Sequence, residues 1–150
     1  MKIKLAVNDD DYDKIKIELE EHGIETDDDS DLILSKTNNF IDTMIVKDKN
    51  TNELVVLSCE KIVYIESYGH SIYVHTSDNT YLMNERLYRI MNQLDGNLFL
   101  RVSNSVIVSK KHIKKINPTL SMKFILTMSD SSRVDVTRSY YYAFKEAFDI

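Results

Sequence analysis

The chain is poor in the residues that staple or interrupt a fold: its 150 residues hold one cysteine, one proline and three glycines. A single thiol, Cys59, excludes an internal disulfide and fits a reducing compartment such as the cytoplasm. Pro118 stands alone and Gly23, Gly69 and Gly96 are widely spaced, so no flexible linker or low-complexity tract divides the sequence. No run of about 18 apolar residues occurs, so no segment is expected to cross a bilayer as a helix. The opening residues carry Lys4 inside a short apolar run with no small-residue cleavage site after it, which is not the pattern of a secretory signal.

Reactive constellations are equally scarce. His22, His70, His75 and His112 are scattered, and His70 and His75 are spaced to fall on opposite faces of a strand, so no metal site is expected. There is no glycine-rich phosphate loop, nucleophile elbow or usefully spaced carboxylate pair, so neither an enzyme nor a cofactor is expected. Residues 27–31 supply acids as a calcium loop does. The sixth loop position, however, is Leu32 where a sharp turn needs glycine, and the twelfth is Asn38 where the ion needs a bidentate glutamate. A solvated acidic turn is the expectation. Ala6-Val7-Asn8-Asp9-Asp10 has the strand and acids that open a phospho-acceptor receiver, and Asp48 follows an apolar strand. A receiver takes about 100 residues or more. Asp48 falls in the turn-rich run 47–52 between strands expected at 44–46 and 53–57, and is assigned to that turn.

The charge that is present is unevenly placed. Residues 1–58 hold 7 Lys/Arg against 15 Asp/Glu, a net −8, and residues 59–150 hold 12 against 9, a net +3. An acidic head is thus joined to a mildly basic body, and the body is the part able to approach phosphates through a few placed contacts.

Periodicity then sets the fold class. Residues 3–7 alternate, Tyr12, Ile15, Leu19 and His22 recur at helical spacing before Gly23, and residues 32–34 form another short apolar run. Residues 1–40 are expected to be a small acidic strand-helix-strand unit that needs a partner surface, the body or a second copy. Residues 71–76 and 80–83 form an expected hairpin, as do 124–128 and 134–136. Leu87, Ile90, Met91 and Leu94 mark a helix with Asn84 as its expected cap and Gly96 as its stop, and Tyr140, Phe144, Ala147 and Phe148 mark a closing helix. The expectation is a mostly β, α+β fold: short antiparallel strands in packed sheets with two short helices, plus the N-terminal unit.

The most informative stretch is 99–109, Phe-Leu-Arg-Val-Ser-Asn-Ser-Val-Ile-Val-Ser. A strand that only filled a core would not set Arg101, Ser103, Asn104 and Ser105 in so apolar a run. An arginine, an amide and two hydroxyls suit phosphates and base edges. The pattern Phe-x-Arg-Val-x-Asn-Ser-x-x-Val resembles the signature of the LytTR DNA-binding family of bacterial transcription regulators. Ile62-Val63-Tyr64-Ile65-Glu66 is similar to that family's first core strand, and Val136-Thr137-Arg138-Ser139 to its last strand leading into a short helix. The three occur in the family's order and give a domain over 44–150. Ser103 stands where the family usually has His, and Ser109 where it often has Asn.

The resemblance implies a sequence-specific double-stranded DNA-binding transcription regulator, in a receiver-less form, that reads DNA through loops and strand ends. It implies His70, Asn104 and Arg138 as reading residues; residue type adds Arg101 and Ser103 of the 99–109 stretch, and Lys110 and Lys111 directly after it, as further DNA-binding candidates. Each has another reading: Arg138 pairing a corner carboxylate, His70 an ordinary loop histidine, Asn104 satisfying buried backbone, Arg101 structural, the lysines a solvated face. The implied partners are DNA with paired repeats, a second protomer on that DNA, and a small membrane protein that restrains the regulator. The alternative function is a protein-interaction module of the same fold, its acidic head docking on a basic partner.

Overall fold

A computed structural model describes residues 1–36 and 40–150. The chain divides into two compact units, Met1–Asn39 and Phe40–Ile150.

In the first unit Ile3 and Leu5 alternate inward along β1 (Lys2–Ala6). Asn8 caps α1 (Asp9–Glu21) by accepting from the Asp11 backbone N–H at 3.1 Å, and Asp9, Asp10 and Asp11 fill the first turn, where the helix dipole favours negative charge. Gly23, at φ +74°, takes the left-handed conformation that ends the helix. Both β2 (Glu25–Thr26) and β3 (Ile33–Ser35) pair parallel with β1 in the order β2-β1-β3. Two residues are too few to leave a periodic signal, so β2 is invisible in the sequence. The acidic run folds as a turn in which the Asp27 carboxylate accepts from the Asp29 backbone N–H at 3.0 Å and the Ser30 hydroxyl donates to the Lys2 carbonyl at 2.7 Å. Asn38, the last position of the calcium-loop comparison, lies outside the described residues.

The second unit holds two antiparallel sheets. The larger contains β4 (Thr43–Asp48), β5 (Leu54–Ser58), β6 (Ile62–Tyr68), β7 (Ser71–Thr76), β8 (Thr80–Met83), β9 (Phe99–Arg101) and β10 (Val106–Ser109), in the order β5-β4-β8-β7-β6-β10-β9. The smaller runs β11 (Ile113–Pro118), β12 (Phe124–Met128), β13 (Arg133–Val136). One face of the larger sheet buries Met44, Val46, Ile65, Val74 and Ile107 against Leu87 and Ile90 of α2 (Leu87–Gln93) and Leu94, which follows it. A second core joins Val63, Val102 and Val108 to Leu126, Met128 and Val136 of the smaller sheet and Phe144 of α3 (Tyr141–Phe148). Alternation along β6 and β10 thus feeds both cores. The register shift between Ile62 and Tyr64 lets Ile62 and Ile65 enter the first core while Val63 enters the second.

Several expectations need correction. The 99–109 stretch is a tight hairpin, β9 and β10 joined by a turn at 102–105, because its polar residues sit where the chain reverses. Asn84 does not cap α2: Arg86, extended at φ −84° and ψ 142°, occupies that place with no side-chain bond to the helix, because the chain bends at Glu85 and the helix starts only at Leu87. Ala147 is exposed, and the buried face of α3 runs through Tyr141, Phe144 and Phe148. Asp48, expected in the turn, is instead the last residue of β4, and its carboxylate holds the turn that follows, accepting from the backbone N–H groups of Asn50 and Thr51 at 2.8 and 3.1 Å and from the Asn79 amide at 3.1 Å. Those bonds, the Asn50 one foremost, hold it below the usual carboxylate range.

Candidate nucleic-acid interface

Three turns meet at one end of the second unit, two of them brought there by strand pairing and the third by hydrogen bonds between the two sheets. The chain leaves β6 at Tyr68, turns through Gly69 and His70, and returns as β7, with Tyr68 opposite Ser71. A two-residue hairpin turn needs positive φ at its first position, and Gly69 supplies +62°. His70 is lifted into solvent beside Tyr68, which is 76% exposed. Antiparallel pairing of β10 with β6, Val106 opposite Glu66, sets the 102–105 turn at the same end, and the Ser67 N–H donates to the Ser105 carbonyl at 2.8 Å. The third element is the corner after β13. There the Thr137 N–H donates to the Val102 carbonyl at 3.0 Å, and Arg138 opens a single 3-10 turn with its side chain exposed.

The 102–105 turn is fixed from within. Arg101 donates from Nε to the Ser103 carbonyl at 2.9 Å and from its guanidinium to the Asn104 carbonyl. The Ser103 hydroxyl is buried and accepts from the Ser105 N–H at 3.2 Å. Asn104 is exposed, and its Oδ1 accepts from the Tyr140 hydroxyl at 3.1 Å, which links this turn to the Arg138 corner. With Oδ1 taken, the amide N–H2 is the group left to donate outward. Among the described residues no carboxylate lies within ion-pair reach of Arg138.

Between these turns runs a polar groove lined by Tyr64, Glu66, Asn104, Arg133, Asp135 and Thr137. Burial, and then the charges of Glu66 and Asp130, push the Tyr64 phenol up, so it stays a neutral hydroxyl near pH 7. His75 is occupied at its base, with Nε2 2.7 Å from Glu66, Nδ1 3.1 Å from Thr80 and its ring stacked on Tyr64 at 4.3 Å.

Lys110 and Lys111 are not part of this cluster. They follow β10 in a 3-10 turn that leads into β11 and lies beside the chain entering β6, where the Lys110 N–H donates to the Leu98 carbonyl at 2.8 Å and His112 reaches the Glu60 carbonyl at 2.9 Å. A four-residue strand separates them from Ser105, about 13 Å at 3.3 Å per residue. Sequence reasoning missed Tyr68, Thr137 and Tyr140. An aromatic directly before Gly-His was a usable signal for Tyr68, whereas the Tyr140–Asn104 bond, 36 residues apart, left none. Among the described residues no group of three or more His, Cys, Asp or Glu is placed to hold a metal, and no helix is long and apolar enough to cross a membrane.

Because Arg101 is spent on its own turn, Arg101→Ala should loosen residues 103–105. We expect faster amide exchange at Asn104 and Ser105 and a loss of about 1–3 kcal/mol of stability, the usual size for charge-assisted bonds. Unchanged exchange at those amides would contradict the bracing role.

Mostly antiparallel sheet, with loops gathered at one end and an exposed arginine at a strand-helix corner, defines a β-scaffold that presents side chains from turns. The family model for the LytTr DNA-binding domain matches residues 52–149, and the chain belongs to that family. It is 29% identical over 97 residues to the sensory transduction protein LytT of Bacillus subtilis, covering 65% of this chain and 40% of that one. It is 23% identical over 99 residues to the transcriptional regulatory protein LytR of Staphylococcus aureus, covering 66% and 40%. The match therefore spans about two fifths of the length of these relatives. A solved LytTr DNA-binding domain from Bacillus cereus superposes with a TM-score of 0.69 at 26% identity, over 73% of this chain and 99% of that one.

Proposed function

We propose that the chain is a sequence-specific regulator of transcription that reads double-stranded DNA with the three turns carrying His70, Asn104 and Arg138. The observation that supports this most is their convergence on one end, two of them bridged by the Tyr140–Asn104 bond. Arg138 is the base reader: a guanidinium can bond guanine O6 and N7 together, worth about 1–3 kcal/mol of discrimination. His70 and Asn104 address a neighbouring base edge or phosphate. Arg101 and Ser103 act by holding the 102–105 turn, not by touching DNA. Three contacts are few for tight binding, so two protomers on a repeated site supply the rest. The names of the relatives, in signalling and transcriptional regulation, agree with this reading.

Lys110 and Lys111 take no part in it. Lys110→Ala should leave both the preferred sequence and the slope of log affinity against log salt unchanged, since a lost phosphate contact would flatten that slope by about 1. A flatter slope would return Lys110 to the interface. The function itself is tested by selecting bound duplexes from a random pool near physiological salt. Enrichment of a repeated motif is the expected result, and no enrichment even at low salt would refute it.

A further inference from the structure

We propose that the β11–β12 turn is a further DNA-contacting element, with Leu120 entering the minor groove beside the groove that Arg138 reads and Lys123 bonded to the intervening phosphates. This rests on the reading of Arg138 above. Pro118 lies opposite Phe124, and Phe124 opposite Val136. The 119–123 tip and the Arg138 corner therefore leave the smaller sheet at the same end, on its two outer strands. Those strands are about 10 Å apart. The major and minor grooves are about 12 and 6 Å wide, so a side chain at that offset from a base reader passes the backbone and meets the next groove.

The tip is built to hold its leucine out. Leu120 is 108% exposed and Met122, at φ +59°, is held in the left-handed region that non-glycine residues avoid. Thr119 pins the loop, its N–H and its hydroxyl both donating to the Lys123 carbonyl at 3.0 Å. Pro118 fixes the backbone on entry. An exposed leucine on a loose loop would mean little, but this one stands on a pinned backbone, so inserting it costs little further ordering of the loop. Its surroundings suit an anion: residues 113–128 hold Lys114, Lys115 and Lys123 and no acid. An apolar side chain set into the minor groove partly unstacks a base step and kinks the duplex.

The test uses the full chain and a duplex obtained by selection, with affinity and DNA bend read together from dyes on the two DNA ends at matched salt. Leu120→Ala should weaken binding at least fivefold and reduce the bend, with thermal unfolding unchanged, and Lys123→Ala should flatten the salt slope by about 1. Arg138→Ala run alongside separates the two claims. If it removes specificity while Leu120→Ala leaves affinity within twofold and the bend intact, the tip assignment is overturned and the reading by Arg138 stands. If neither variant matters, both fall. A clear drop in melting temperature for Leu120→Ala would also overturn the assignment, because that side chain would then be packed.

Discussion

Replacing Arg138 by alanine is expected to lower affinity for the selected site by roughly 5- to 150-fold, the 1–3 kcal/mol of a bidentate guanine contact, and to leave affinity for unrelated duplexes nearly unchanged. Two features make the expectation sharp. The side chain is exposed at the start of a 3-10 turn, so its loss opens no cavity, and stability should stay within about 0.5 kcal/mol of the parent. The backbone around it is held separately, by the Thr137–Val102 and Tyr140–Asn104 bonds. Arg138→Lys keeps the charge but cannot form two parallel bonds, so it should bind unrelated duplexes as the parent does and recover little of the specificity. A variant that binds the selected site as tightly as the parent, or one that does not fold, would refute the assigned role.

The largest effect on stability is expected at Phe144, which is fully buried. Its ring lies 5.0 Å from that of Phe124 and 4.7 Å from that of Phe148, so it joins α3 to the smaller sheet. Phe144→Ala should cost about 3–5 kcal/mol, a large part of the roughly 5–15 kcal/mol that holds a domain of this size. The same contact seats the corner from which Arg138 projects, so binding should fall with stability, whereas Phe144→Leu, which fills more of the space, should retain most of both. Urea unfolding measures the difference as a lower midpoint at unchanged slope. A loss under about 1 kcal/mol would mean that α3 is not anchored as described.

What could be read from the residues follows from how local the cause is. Strict alternation marks β7 and β12 because each buries one face, and Leu87, Ile90 and Met91 of α2 with Leu94 at its C-cap recur at helical spacing for the same reason. The strand β11 was missed because Lys114, Lys115, Asn117 and Pro118 break any alternation. They can do so because β11 is an edge strand, where lysine and proline guard against stray pairing, and a register shift after Ile113 disturbs the pattern further. Asn84 has the right chemistry for a cap but lies three residues before Leu87, and Arg86 takes the cap position instead.

The candidate site divides in the same way. Gly69 before His70 and the polar cluster at 101–105 are local signals. Residue type left Arg101 and Lys110 open between a DNA contact and a structural or solvated role; topology turns Arg101 onto the carbonyls of its own hairpin and places Lys110 at the other end of β10. The bond between Tyr140 and Asn104 depends on two sheets meeting, which no window of sequence contains.

Whether one end of the second unit faces DNA can be read from backbone amide shifts during titration with a selected duplex. We expect the largest changes at Gly69, His70, Asn104, Ser105, Arg138 and Ser139, and small ones at Lys110, Lys111 and His112. The reverse pattern, with the Lys110–His112 turn moving and the three convergent turns silent, would contradict this expectation.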